Sequence, residues 1–103
     1  MTERCGFVLR VRPDRIDDYV EAHGRVWPEM LAALKEAGIR NYSNFRDVAT
    51  VFGYFEADDL AAAAAHLEMQ EVSARWQDEM AELLEGRVPD GGPPPLEEIF
   101  RLD

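Results

Sequence analysis

An α+β domain with the element order βαββαβ is what this sequence predicts. Three observations carry that prediction. Apolar and polar residues alternate with period two over residues 4–12, 39–46 and 50–57, as half-buried strands require. Between residues 16 and 37, and again beyond Asp58-Asp59 as far as residue 85, apolar residues recur near every 3.6 positions. Turn and cap residues stand at the boundaries: Pro13-Asp14, Gly38, Asp47-Val48-Ala49, Asp58-Asp59 and Gly86.

In the first strand Cys5, Phe7, Leu9 and Val11 alternate with Gly6, Val8, Arg10 and Arg12. Pro13-Asp14 opens a helix whose apolar stripe is Ile16, Tyr19, Val20, His23 and Val26/Trp27. Gly24 and Pro28 predict a break at 24–28, because proline suits the first turn of a new helix and not the middle of an old one. The second piece places Met30, Leu31, Leu34 and Ala37 inward and stops at Gly38. Two strands, 39–46 and 50–57, then follow around a short connection, which predicts an antiparallel hairpin. On the first of them Tyr42 shares a face with Arg40, Asn44 and Arg46, while Ile39, Asn41, Ser43 and Phe45 take the other. Asp58-Asp59 caps the next helix, and the run Ala61 to Ala65 gives it high intrinsic propensity. A further helical stretch over about 69–85 aligns Val72, Trp76, Met80 and Leu83. A Pro/Gly loop at 87–95 leads to a last strand at 96–102.

This order predicts a ferredoxin-like fold: a four-stranded antiparallel sheet with its helices on one face. Alternation puts Val8, Tyr42, Phe52, Tyr54 and Phe100 in one set of strand positions, and Phe7, Leu9, Phe45, Val51 and Phe55 in the other. Both sets are apolar, so the face without helices needs a cover. A second copy of the chain meets that need, and a homodimer with the architecture of a dimeric α/β barrel is expected.

A length of 103 residues suits a single domain, residues 1–103, with one modest core. No apolar run reaches the roughly 18 residues needed to span a bilayer, so no membrane association is expected. Met1-Thr2-Glu3-Arg4 leads straight into a strand pattern, and the lone Cys5 fits a reducing compartment, which together predict a cytoplasmic protein. The formal charge of -10 disfavours nucleic acid and anionic lipid as partners. A neutral small molecule pays no such penalty.

Tyr19, His23 and Trp27 are four residues apart, a spacing that stacks side chains on one helix face. An imidazole ordinarily titrates near pH 6.5 and can both give and take a proton at neutral pH. Tyrosines offer a ring wall with a hydroxyl, and Trp27 and Trp76 offer stacking surfaces. Each of these alone is as well explained by packing. Cys5, His23 and His66 do not make a metal-ligand pattern, and neither a phosphate-cradling glycine loop nor a serine nucleophile motif is present. What is left is a proton-transfer isomerisation of a neutral ligand, with no metal and no cofactor.

The chain resembles the L-rhamnose mutarotase family. The resemblance rests on Tyr19 to His23, Trp27-Pro28-Glu29, Asn41-Tyr42, Arg75-Trp76 and Glu97-Glu98-Ile99-Phe100, and it covers nearly the whole sequence. It implies a small ferredoxin-like homodimer with one site per subunit, interconverting the α and β anomers of L-rhamnose without a cofactor. Carried over by position, His23 matches the proton donor, and Tyr19, Tyr42 and Trp76 match the sugar-binding residues. One departure is Gln77, where the family often has a second tryptophan. Two other readings remain at this stage: a monooxygenase-like enzyme on a dimeric α/β barrel, and a non-catalytic sugar-binding module.

Overall fold

A computed structural model describes residues 1–86 and 92–102. Strand β1 spans Glu3–Arg10. After a single 3-10 turn at Pro13–Arg15, α1 runs Ile16–Gly24 and α2 runs Pro28–Glu36. Strands β2, Arg40–Asp47, and β3, Thr50–Ala57, form the hairpin, and α3, Leu60–Glu68, and α4, Glu71–Ala81, complete the regular elements of the described residues.

The expected breaks fall where the sequence places them. The first helical segment ends at Gly24, and Pro28 takes the first position of α2, where its missing N–H costs nothing. Gly38 ends the α2 segment at φ 89°, a left-handed cap that its lack of a Cβ permits. The Asp59 carboxylate accepts the Ala62 N–H at 3.0 Å and so caps α3. One detail differs: Leu31 is exposed and Ala33 takes the inward place beside Met30.

The sheet is antiparallel throughout, with spatial order β1-β3-β2. All four helices cover the face that carries Leu9, Val51, Phe55 and Ala57. One apolar cluster joins Val11, Tyr19, Met30, Val51, Trp76, Met80, Leu83 and Leu84, and a second joins Ile39, Ala57 and Ala63. Val11 is 1% exposed and bridges to Leu84. The last helix stops at Ala81 rather than 85, because the following backbone turns to serve the end of β1. The Arg12 N–H donates to Leu83 and the Glu85 N–H to Arg10. Leu83 and Leu84 are thereby buried without being helical.

Two expectations need correction. First, the described residues form three strands and not four. Residues 96–102 take no strand pairing, although the Leu96 N–H donates to the Gly6 carbonyl at 2.8 Å and Glu98 pairs with Arg4. The tail thus lies against β1 without forming a ladder. Pro94 and Pro95, just before Leu96, have no N–H to extend a ladder from that first bond. The expected 87–95 loop lies largely outside the described residues. Second, the register regroups the aromatic residues. Phe45 lies opposite Phe52 on the face without helices. Tyr42 lies on the helix-covered face, its ring edge-on to Phe7 at 6.2 Å and stacked on Phe55 at 5.2 Å. Alternation within β2 is as read; the match between strands is set by an irregularity between Arg40 and Ser43, where Asn41 adopts φ 52°.

Candidate active site

Helix α1 presents Tyr19 and His23 on one side, as four-residue spacing dictates. Their rings stack at 4.2 Å between centroids. The His23 Nδ1 lies 2.9 Å from the carbonyl oxygen of Tyr19, one turn earlier. A carbonyl only accepts, so Nδ1 carries the proton in that bond. The nitrogen left for chemistry is Nε2. Trp76, from α4, closes the far side of the imidazole, edge-on at 5.4 Å.

The third member of the row behaves differently. Trp27 precedes α2 and does not stack on His23. Its ring meets Trp76 edge-on at 5.1 Å, and the Arg75 guanidinium lies 5.5 Å over its centroid. Arg75 is itself paired with Glu29. Trp27 is a brace for Trp76, which is 8% exposed and belongs to the core.

A cleft of about 270 Å³ opens between α1 and the sheet. Its walls are Tyr19, Val20, His23 and Gly24 on the helix, Asn44, Phe45 and Arg46 on β2, and Val51 on β3. Of the four residues singled out by the sequence, Tyr19 and His23 line this cleft; Tyr42 and Trp76 do not. Trp76 stands behind His23, and Tyr42 lies on the helix-covered face two positions before Asn44. Gln77 is exposed and outside the cleft. Asn44, Arg46 and Val51 went unrecognised as site residues. The only signal for Asn44 and Arg46 was their shared strand face with Tyr42, which reads equally well as a solvated face.

Both phenols are held protonated. Burial pushes Tyr19 up to about 12. Burial raises Tyr42 further, and the neighbouring Tyr19 phenol and Cys5 thiol add to the shift. Tyr42 is 42% exposed as a residue because β2 is an edge strand, so its shift reflects the surroundings of the hydroxyl end and not the backbone. Among the described residues neither phenol oxygen has a hydrogen-bond partner, and the Tyr19 oxygen is not sealed from solvent. A phenol packed into a protein ordinarily finds a partner. These two are free to donate to a ligand. Cys5, half-buried, is likewise held as a thiol by burial.

The raised phenol value has a consequence for stability. The unfolded phenol ionises near pH 10 and the folded one near 12. The folded state therefore holds more protons in that window, and stability must fall as pH rises through it. Full stability is expected below pH 10, with a loss of roughly 2 kcal/mol from Tyr19 by pH 12. Urea midpoints between pH 8 and 12 should fall less steeply in Tyr19→Phe than in the parent; equal slopes would contradict the assignment.

No helix is long and apolar enough to cross a membrane, and no cluster of three metal-ligating side chains occurs among the described residues. An α+β domain with helices on one side of an antiparallel sheet, and a cleft between helix and sheet walled by an imidazole and a phenol, defines a class of small proteins with a ligand-sized site.

Within that class the chain belongs to the L-rhamnose mutarotase family, whose model matches residues 4–102. An L-rhamnose mutarotase of Ligilactobacillus salivarius is 39% identical over the full length of both chains. One of Oceanobacillus iheyensis is 35% identical, covering 98% of this chain and 99% of its own. The crystal structure of an L-rhamnose mutarotase from Formosa agariphila superposes with a TM-score of 0.80 at 30% identity, covering 98% of this chain and 99% of that one.

Proposed function

We propose that this protein is an aldose mutarotase that interconverts the α and β anomers of L-rhamnose, or of a related deoxy sugar, by proton transfer at His23. Family membership carries the isomerase reading ahead of the monooxygenase-like and non-catalytic alternatives. The observation that carries the chemistry is the bond from Nδ1 to the Tyr19 carbonyl. It commits one ring nitrogen to the backbone and leaves Nε2 to exchange protons with a ligand.

A pyranose changes anomer by opening to its aldehyde and closing again. On opening, the imidazolium form of His23, protonated at both ring nitrogens, gives its Nε2 proton to the ring oxygen as the C1–O5 bond breaks, and the anomeric hydroxyl loses its proton to water as C1=O1 forms. Rotation about C1–C2 presents the other carbonyl face. On closing, O5 attacks C1 and returns its proton to Nε2, and O1 regains a proton from water. The balance of protons is zero. Tyr19, un-ionised on the cleft wall, holds the sugar as a hydrogen-bond donor; Tyr42, two positions before Asn44, is assigned the same role at the edge of the cleft, and Trp76 acts on the sugar through the imidazole it backs. Apolar walls such as Val20 and Val51 suit the methyl group of a deoxy sugar. Positioned proton transfer is worth about 10²–10⁴-fold, enough for a reaction that already runs slowly in water. Saturation-difference NMR of anomer exchange tests the reading. Saturable acceleration with L-rhamnose is expected; no acceleration with any 6-deoxy or ordinary hexose would refute it.

A homodimer completes the reading. The sheet face without helices presents Phe45 at 68% and Phe52 at 45% exposure, and the tail presents Ile99 and Phe100 at 89% and 78%. Exposed aromatic and aliphatic side chains of this size favour a second copy as their cover. Sedimentation should give twice the chain mass, and Phe52→Glu should shift it toward the monomer. A monomeric parent protein would remove this part of the proposal.

A further inference from the structure

We infer that Asn44 and Arg46 form the wall of the cleft that recognises the sugar's ring hydroxyls, and so set which sugar is accepted. The inference rests on the mutarotase reading for the class of ligand, and on the geometry of β2 for the residues. Tyr42, Asn44 and Arg46 are two apart and point to one side of the strand. The register fixes which side: Asn44 stands opposite Gly53 and Arg46 opposite Val51, on the helix-covered face. Across the cleft stand Tyr19, His23 and Gly24 of α1. The helix wall supplies the proton chemistry. The strand wall supplies an amide and a guanidinium, the donor and acceptor set suited to a ring of hydroxyls.

Charge sharpens the assignment. The chain carries 21 acidic and 11 basic residues, yet among the described residues no carboxylate lines the cleft. Arg4, Arg15, Arg25, Arg40 and Arg75 each meet a carboxylate. Among the described residues Arg46 meets none. Its Nη1 donates instead to the carbonyl of Val48 at 3.1 Å. That carbonyl belongs to the two-residue turn between β2 and β3, where Val48 holds φ 56°. A β-branched residue rarely adopts this conformation, and such strain persists where the surroundings impose it. Tethered at one nitrogen, the guanidinium keeps its other donors for a ligand. The Asn44 amide has no side-chain hydrogen bond among the described residues and is equally available. Directional donors of this kind discriminate between hydroxyl configurations better than an apolar wall can.

The test measures anomer exchange and direct sugar binding, by saturation transfer to the sugar protons, over L-rhamnose and hexoses differing from it in one hydroxyl. Asn44→Ala and Arg46→Met should each raise KM about tenfold with kcat changed less than about twofold. The preference for L-rhamnose over the epimer that each contact reads should fall about tenfold. Arg46→Lys should restore part of the affinity but not the selectivity, since the fork of donors is lost. Unchanged KM and selectivity in both Asn44→Ala and Arg46→Met would overturn the inference, as would loss of kcat with KM unchanged. The binding arm separates the two proposals. A parent protein that binds these sugars without accelerating exchange defeats the mutarotase reading while the strand wall is still judged by affinity. A parent that binds none of them defeats both.

Discussion

Replacing His23 by alanine is expected to lower the saturable rate of anomer exchange by about 10²–10⁴-fold while the fold survives. The size follows from the role. The imidazole is the one group on the cleft wall with a ring nitrogen left free to exchange a proton, since burial holds the Tyr19 phenol protonated. The survival of the fold follows from position. His23 is half-buried on the last turn of α1, and its ring contacts are Tyr19 and Trp76, which keep their own places in the core. Its side-chain hydrogen bond is local, to the carbonyl one turn earlier. Far-ultraviolet circular dichroism should therefore match the parent. Exchange at the parent rate in a folded His23→Ala protein would remove His23 from the mechanism. His23→Gln, which keeps a donor of similar reach but cannot relay a proton, should be as inactive as the alanine variant.

Gly53→Ala is expected to be the most damaging small substitution in the sheet. A Cβ on residue 53 would lie 2.1 Å from Cζ of Phe7, 2.3 Å from Cε2 and 2.6 Å from Cε1. No real contact is that short, so the Phe7 ring must leave. That ring is 6% exposed and packs against Tyr42 and Phe55, so it has little free space to enter. Overpacking of this kind costs about 1–3 kcal/mol. The effect should also reach the site. Phe7 is one of the two rings that hold Tyr42, so its displacement should raise KM for the sugar. A thermal melt and KM measured together test both parts. Phe7→Leu in the Gly53→Ala background frees the space the methyl needs and should recover part of the stability, though not the ring contact to Tyr42. A melting temperature equal to the parent's would show that the ring relaxes at no cost.

The two variants mark how differently the molecule's parts could be read from the chain. His23 is visible in the sequence because helical periodicity is local: residues 19 and 23 share a face whatever the rest of the chain does. The helix break at Gly24 to Pro28, the Gly38 cap and the Asp59 cap are legible for the same reason, since each depends on a few adjacent residues and the φ angles they allow. The crowding of Gly53 by Phe7 is invisible there, because 46 positions of chain separate the two.

Strand register was the main failure of local reasoning. Period-two alternation sorts each strand into two faces but does not say which face of one strand meets which face of another. A single irregularity before Ser43 decides that, and it sends Tyr42 to the helix side and Phe45 to the open side. The fourth strand failed for a related reason. Residues 96–102 have a strand-like composition, but a strand exists only where a neighbour offers a continuous edge, and among the described residues the tail meets β1 without a ladder of backbone hydrogen bonds. Helix α4 ended early because residues 82–85 found better partners in the end of β1 than in another helical turn.

By itself, then, the sequence determined the order and type of seven of the eight expected segments, the places where helices break, and the pairing of a phenol with an imidazole on one helix turn. All of these arise from contacts between residues close in the chain, where propensity and periodicity act. Only the tertiary structure decided that Trp27 braces Trp76, and that Asn44 and Arg46 stand across the cleft from His23. Those facts depend on how elements far apart in the chain, α4 beside Trp27 and the edge strand β2 beside α1, come to lie against each other. The burial of the intervening apolar side chains sets that arrangement, and no local pattern encodes it.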